Sequence, residues 1–505
     1  MRTARFIGGL LTGLVALALA VAIFVYWFGF ATDMAAASGL GALGYAFLWL
    51  SFGANLLLWT VIGLMRLGED SVRAAVRPLG SGRRRAVGGK ADDRVLVGAG
   101  TARAERGGDA AEGEFARAPA ERPEVTGPAG AASLAVVIPA HDEEPVIGGA
   151  IASAMGLFDR WDIYVVSDSS GDSTAAIAAG TGVNVLELLT NRGKAGAIEA
   201  VLEEFALTDN YDGVLILDAD TELDPGYVEG ARRQLADPSV AAVAGFVVSE
   251  WKPRQRTFVG RMISAYRDRL YFMLQYLMRF GQTWSRTNTA FIVPGFASVY
   301  RSEALREIDV NPRGLVIEDF NMTFEVHHKR LGRVSMNPDT KAYSQDPFTF
   351  RDYYRQVSRW TLGFWQTVRR HRVWPSLFWV CLSLYILEVV LVSVVLLATA
   401  VVGLFVLAGT VGGEPFLSLP FFGETFTAVT AFLPLLAIAI GLFVPDYMLT
   451  CLMAAIRRRP SYLLYGLLFL PIRLVDAYLT LRMIPRAWTT ESDGRWSSPD
   501  RVSGG

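Results

Sequence analysis

Asp218 and Asp220 follow the apolar run Val214 to Leu217, with one alanine between them. In extended backbone, residues i and i+2 face the same way, so the two carboxylates can converge on one hard cation. Magnesium or manganese suits such oxygen ligands and a diphosphate. A second acidic pair, Glu318 and Asp319, follows another apolar run and opens a helical segment. A carboxylate there either caps the helix or acts as the general base that deprotonates an acceptor hydroxyl. Adjacent residues of extended chain point to opposite sides, so one of the pair faces a substrate, and Asp319 is the choice.

Three further clusters could handle a nucleotide and a sugar. Pro139-Ala140-His141-Asp142-Glu143-Glu144 and Asp168-Ser169-Ser170-Gly171-Asp172 are rich in carboxylates, which suit hydrogen bonding to a base and ribose. Ser170 or Asp172 equally reads as a cap of the next helix. Asn191-Arg192-Gly193-Lys194 precedes a helix, where its cations reach a nucleotide or line a solvated turn. On a helix, Gln356, Arg359 and Trp360 share one face and present an amide, a guanidinium and an indole together. That trio suits a diphosphate leaving group and a stacked sugar ring, while its aromatic neighbours Tyr353, Tyr354, Phe364 and Trp365 equally suit an interfacial helix. His327 and His328 read as packing or surface residues.

Several chemistries lose their footing. No phosphate-binding G-x-x-x-x-G-K-[ST] loop occurs, and the one G-x-G-x-x-G, Gly39 to Gly44, opens an apolar run and reads as helix packing. Four histidines without H-E-x-x-H spacing and two cysteines inside apolar runs supply neither a zinc hydrolase site nor a disulfide framework. Basic and acidic residues nearly cancel, 48 against 49, so no overall field draws the chain to nucleic acid.

The elements that must position these residues alternate strand and helix. Leu134 to Ile138, Ile163 to Val166, Val183 to Leu186 and Val214 to Leu217 read as buried strands, with helices near Glu144 to Met155 and Lys194 to Leu207. This rhythm predicts a mostly parallel sheet with ligands at the carboxyl ends of its strands, where the polar clusters fall. Around it lie apolar runs. Phe6 to Phe30 and Gly39 to Met65 carry no charge and exceed the roughly 20 residues that cross a bilayer. The first also resembles a signal peptide, though its apolar run is long for one. Ser376 to Leu407 and Phe426 to Val444 are further spans, and Tyr462 to Ile484, holding Pro471, Arg473 and Asp476, is a tilted, broken or interfacial fifth. Arginines after the second span, before the third and after the fourth place the middle segment in the cytoplasm.

The predicted organisation is therefore two transmembrane helices in 1–68, an Ala/Gly/Arg-rich linker in 69–132 and a catalytic domain in 133–343. Interfacial helices at 344–375, two or three transmembrane helices in 376–488 and a tail at 489–505 complete it. The linker composition buries too little to offset its ordering entropy.

The ordered set of clusters resembles the processive family-two glycosyltransferases, such as the cellulose, hyaluronan and poly-N-acetylglucosamine synthases. The resemblance covers roughly Leu134 to His371 plus the flanking spans. It implies a GT-A fold, a UDP-sugar donor, an inverting displacement that extends a β-linked glycan, and a Mg2+ or Mn2+ cofactor. Glu143, Asp168, Lys194 and Asp218 would contact the donor nucleotide, Asp218 and Asp220 the metal, and Asp319 would be the base. Gln356, Arg359 and Trp360 match the Q-x-x-R-W element associated with the acceptor and diphosphate, and Gly295 falls where the acceptor end passes. This chain departs from the pattern in Asp-Ser-Ser after the second strand, His-Asp-Glu-Glu after the first, Ile-Glu-Asp at the base and Val-Ser inside Q-x-x-R-W. Those differences bear on donor identity and on how basic the acceptor site is. Expected partners are the donor, a glycan or lipid-linked acceptor, the lipid bilayer of a bacterial inner membrane and an accessory export subunit. Single transfer to a lipid is the main alternative, ahead of an inactive nucleotide-binding subunit or a transporter.

Overall fold

The computed structural model describes residues 53–76, 115–117, 132–492 and 494, with isolated positions between 22 and 50. Most of the expected span Phe6 to Phe30, nearly all of the linker after Val76 and the last residues of the tail lie outside the described residues. The chain order is α1 (Ala54–Val76), β1 (Phe115–Arg117), β2 (Leu134–Ala140), α2 (Ile147–Met155), β3 (Ile163–Asp168), α3 (Thr174–Gly180), β4 (Asn184–Leu188) and α4 (Gly193–Glu204). Then come β5 (Gly213–Leu217), β6 (Thr221–Leu223), α5 (Tyr227–Leu235), β7 (Val240–Val243), β8 (Phe246–Ser249) and α6 (Phe258–Phe272), which runs into a π-helical stretch, Met273–Arg279. After β9 (Ala297–Arg301) follow α7 (Glu318–His328), β10 (Arg333–Ser335), β11 (Lys341–Ser344) and α8 (Phe350–His371). The chain continues through α9 (Leu377–Gly412), α10 (Phe422–Phe432), α11 (Leu435–Arg457) and α12 (Phe469–Thr489).

Eight strands form one sheet in the order β1-β4-β3-β2-β5-β9-β7-β10, and β6-β11-β8 form a second. β4, β3, β2 and β5 run parallel, while β9 is antiparallel to both β5 and β7. A parallel strand is covered on both faces and so reads as a continuous apolar run. In β2, Leu134, Val136 and Ile138 enter one core cluster, and Ala135 and Val137 enter the cluster on the other face. The chain leaves β2 through β3 and β4 on one side and returns as β5 on the other. The carboxyl ends of β2 and β5 therefore flank a switch in strand order, the place where open α/β sheets hold ligands.

Among the described residues, α9 and α11 are long and apolar enough to cross a membrane. Ser376 caps α9, its hydroxyl accepting from the Trp379 N–H at 3.2 Å. The expected span Phe426 to Val444 is divided: α10 ends at Phe432, and α11 starts after Pro434. Proline lacks the N–H that would continue the ladder and pushes Leu433 out of helical geometry, so α11 extends to Arg457 instead. The stretch from Tyr462 to Ile484 is also interrupted, by a break between a short helix, Ser461–Gly466, and α12. The buried charge on α11 is paired: Asp446 binds Arg269 and Arg473, each at 2.9 Å, as apolar surroundings require.

Candidate active site

Asp168 ends β3 and is fully buried. Its Oδ1 accepts the Arg192 N–H at 2.7 Å, while its Oδ2 is buried without a protein partner. Burial holds this carboxyl above the usual range, against the pull of the Arg192 and Gly193 amides. An orphaned buried acceptor is uncommon in a folded protein and is suited to a ligand N–H. The loops after β2 and β3 are laced together. Glu143, itself buried, donates its N–H to Thr174 Oγ1 at 2.9 Å, and Asp142 Oδ1 accepts from the Gly171 N–H at 2.7 Å. Asp172 accepts the Thr174 N–H from one position before Ser173, the residue that occupies the cap of α3.

At the end of β5, Asp218 and Asp220 come together through a tight turn into β6, rather than by the strand alternation expected of i and i+2. The Thr221 N–H closes that turn on the Asp218 carbonyl at 3.0 Å, and the Asp218 N–H donates to the Phe296 carbonyl at 2.8 Å. Lys194, at the start of α4, places its Nζ 2.7 Å from Asp218 Oδ1, 2.9 Å from Glu318 Oε1 and 3.2 Å from the Gly295 carbonyl. Burial would lower this ammonium, but the two carboxylates outweigh it and hold it above its ordinary value. Asp218 is raised by burial first; Lys194 pulls it down, and the neighbouring Asp220 and Glu318 charges push it up.

Glu318 and Asp319 do not diverge as extended chain would have them. They begin α7, where neighbours are set roughly 100° apart rather than 180°, and both approach Gly295. A Cβ on Gly295 would lie 3.0 Å from Lys194 Nζ, 3.2 Å from Glu318 Oε1 and 3.4 Å from Asp319 Cβ. Asp319 Oδ2 accepts the Gly295 N–H at 3.2 Å, and its Oδ1 accepts from Phe320 at 2.7 Å. Burial, with the Glu318 charge beside it, pushes Asp319 up to about 7 despite those amides and Lys194. Burial works on Glu318 in the same direction, yet Lys194, with help from Arg359, holds it low. One carboxyl is thus poised near neutrality while its neighbour stays ionised, a separation typical of acid–base sites.

Gln356, Arg359 and Trp360 lie on α8. Arg267 of α6 donates to Gln356 Oε1 at 2.6 Å, and its guanidinium carbon sits 4.5 Å from the Trp360 ring centre. The structure therefore gathers Lys194, Asp218, Gly295, Glu318 and Asp319 by direct contact, with Asp220 and Arg359 felt electrostatically. Asp168 and Glu143 belong to the neighbouring loops on the same edge. Glu318 and Arg267 escaped the sequence reading. Glu318 was assigned to the face away from substrate, and nothing in the spacing of Tyr266-Arg267-Asp268-Arg269 marks both arginines as buried or Arg267 as the one that meets Gln356. His327 stacks on Phe378 at 4.3 Å and His328 on Trp374 at 4.6 Å, which are packing positions.

Residues 213–412 match the model of the Glycosyl transferase family group 2, from β5 through Asp218 and Asp319 to the end of α9. The chain carries a family-two glycosyltransferase domain. This glycosyltransferase is 22% identical over 394 residues to a poly-β-1,6-N-acetyl-D-glucosamine synthase of Staphylococcus epidermidis, covering 73% of this chain and 87% of that one. A Staphylococcus aureus synthase of the same description is 23% identical over 240 residues, or 46% of this chain and 54% of its own. Among solved structures, a Pyrobaculum calidifontis mannosyltransferase in complex with GDP-Man and Mn2+ aligns with a TM-score of 0.42 and 19% identity, over 63% of this chain and 86% of that one. The mostly parallel sheet of the glycosyltransferase is of the GT-A type.

Proposed function

We propose that this glycosyltransferase moves a sugar from a UDP-sugar to a growing β-linked polysaccharide at the cytoplasmic face of a membrane, by a single inverting displacement. The observation that carries this reading is Asp319, a carboxyl set near neutrality, held by the Gly295 amide and adjoining the Lys194, Asp218 and Glu318 cluster. Similarity to the staphylococcal synthases supports a polysaccharide product, and α9 and α11 support a membrane setting.

The buried, unpartnered Asp168 Oδ2 would accept the N–H of the base, and Glu143 would border the nucleoside. Lys194, lying between Asp218 and Glu318, would shift toward the diphosphate. Asp218 and Asp220 would hold a divalent cation. The fit rests on hard oxygen ligands and on the like charges of Asp220 and Glu318, which add to burial in raising Asp218 against the pull of Lys194. Among the described residues no cluster of three or more such side chains suited to a metal forms, so the protein would supply only these two carboxylates. Such an ion, when bound, neutralises charge that develops on the departing diphosphate. Asp319 accepts the proton of the acceptor hydroxyl as that oxygen bonds to the anomeric carbon and the bond from this carbon to the diphosphate breaks. UDP leaves with the electron pair, and inversion follows from attack on the opposite face. Gln356, Arg359 and Trp360 would hold the diphosphate and the acceptor ring.

The test is Asp319→Asn. It should retain UDP binding while transfer falls by roughly 10²–10⁴-fold, the span that general base catalysis supplies. Transfer near the parent rate would overturn the assignment.

A further inference from the structure

Arg267 lies in the middle of α6 and is only 3% exposed. Its Nη2 donates to Gln356 Oε1 and its Nη1 to the Tyr271 hydroxyl, both at 2.6 Å. The plane of the same guanidinium covers Trp360, and Tyr353 lies 5.3 Å from its carbon. No carboxylate among the described residues forms an ion pair with it. The buried Asp346 and Asp476 charges act on this cation from a distance, but its direct partners are a neutral amide and a phenol, which recover less of the desolvation than a contact ion pair. What the arrangement supplies is orientation. A guanidinium has donors and no acceptor, so Gln356 must turn its carbonyl oxygen toward Arg267, which leaves both of its amide hydrogens facing away. One face of the half-buried Trp360 indole is covered by the cation, which fixes the orientation of the ring.

The junction is braced from both ends. Tyr353 and Tyr266 each donate to Asp476 of α12 at 2.7 Å, which ties α6 and α8 to a third helix. Burial raises the Tyr271 phenol up to about 12 although Arg267 pulls it down, and the Asp346 and Asp220 charges add to the rise.

We propose that Arg267 is a positioning residue for the acceptor: it fixes the donor polarity of the Gln356 amide and the orientation of the Trp360 ring. This rests on the reading of α8 as the acceptor platform. The amide would then donate to an oxygen of the acceptor glycan or the diphosphate, and a pyranose would stack on the indole. Lysine cannot replace the arginine, since a single ammonium lacks the planar fork that reaches amide, phenol and indole at once.

The experiment uses the full chain in membranes, with the UDP-sugar giving the fastest UDP release. It measures UDP released and labelled sugar recovered in glycan, and takes the ratio of the two. Arg267→Lys and Arg267→Met should lower glycan formed per UDP by roughly ten- to hundredfold, the scale of a misplaced reacting group, with UDP affinity within about twofold of the parent. Tyr271→Phe, which keeps the amide locked, should lower the ratio less. Gln356→Glu keeps a bond to Arg267 and loses the amide hydrogens, so it should show the same loss of ratio even if the Arg267 variants fail to accumulate. An unchanged ratio in Gln356→Glu or in the Arg267 variants would overturn the proposal, as would UDP and glycan falling in parallel. An unmodified chain that releases no UDP with any donor would instead sink the glycosyl-transfer reading itself.

Discussion

Gly295 has no side chain, and both of its backbone polar groups are in use: the amide on Asp319 and the carbonyl on Lys194. Its place among three charged side chains gives a direct prediction. Gly295→Ala forces a methyl to within 3.0 Å of the Lys194 ammonium, and such overpacking costs about 1–3 kcal/mol. Turnover should drop roughly tenfold or more while the fold persists, as read by transfer rate beside a thermal melt. The second prediction at this scale concerns pH. Asp319 must be ionised to accept a proton, and its pKa is about 7, so the rate should rise with pH and level off above neutrality. A pH–rate profile with an acid limb near 7 supports the base; a flat profile from pH 5 to 8 would remove it. The sign for stability runs the other way. A carboxyl raised above its unfolded value opposes folding once it ionises, so the Asp319 contribution weakens between about pH 4 and 7.

Elements decide which of these residues could be read from sequence. Asp218 and Asp220 were legible because an apolar strand ends just before them, although a turn rather than a pleat brings them together. Glu318 was not legible, because the two faces were assigned as for extended chain although the pair already belongs to the first turn of the helix. Arg267 was invisible for a different reason: two of the three arginines of α6 are buried, and which partner each meets is decided by α8 and α11, far away in sequence. The break at Pro434 carried its own signal in the proline, but the continuous apolar composition on either side concealed it. At this scale Glu388 of α9 gives a third prediction. Its carboxylate accepts from Trp49 Nε1 at 2.9 Å, from Asn55 N at 2.8 Å and from the Ala54 amide. It thereby satisfies donors at the first turn of α1, which have no partner within their own helix. Glu388→Ala should release α1 from α9 and cost about 2 kcal/mol or more, since hydrogen bonds to a charged group are each worth roughly 1.5–3 kcal/mol. A thermal melt in detergent checks this, and an unchanged midpoint would show that the contact is dispensable.

Across the whole molecule, one α/β domain presents its strand ends to a pair of helices, α6 and α8, that in turn lean on α12. The parallel core was readable because strands covered on both faces are apolar without interruption, whereas the junction of α6, α8 and α12 depends on contacts such as Tyr266 and Tyr353 on Asp476, which no local pattern encodes. Chelation tests the proposed cation at this scale: EDTA should abolish transfer, and magnesium or manganese should restore it. The central claim is tested most directly by supplying membranes containing the full chain with a panel of labelled UDP-sugars and a divalent ion. The account predicts that at least one donor yields UDP together with label in a β-linked polymer, and that Asp319→Asn yields neither at a comparable rate. UDP release from no donor, or label transferred equally well by Asp319→Asn, would contradict it.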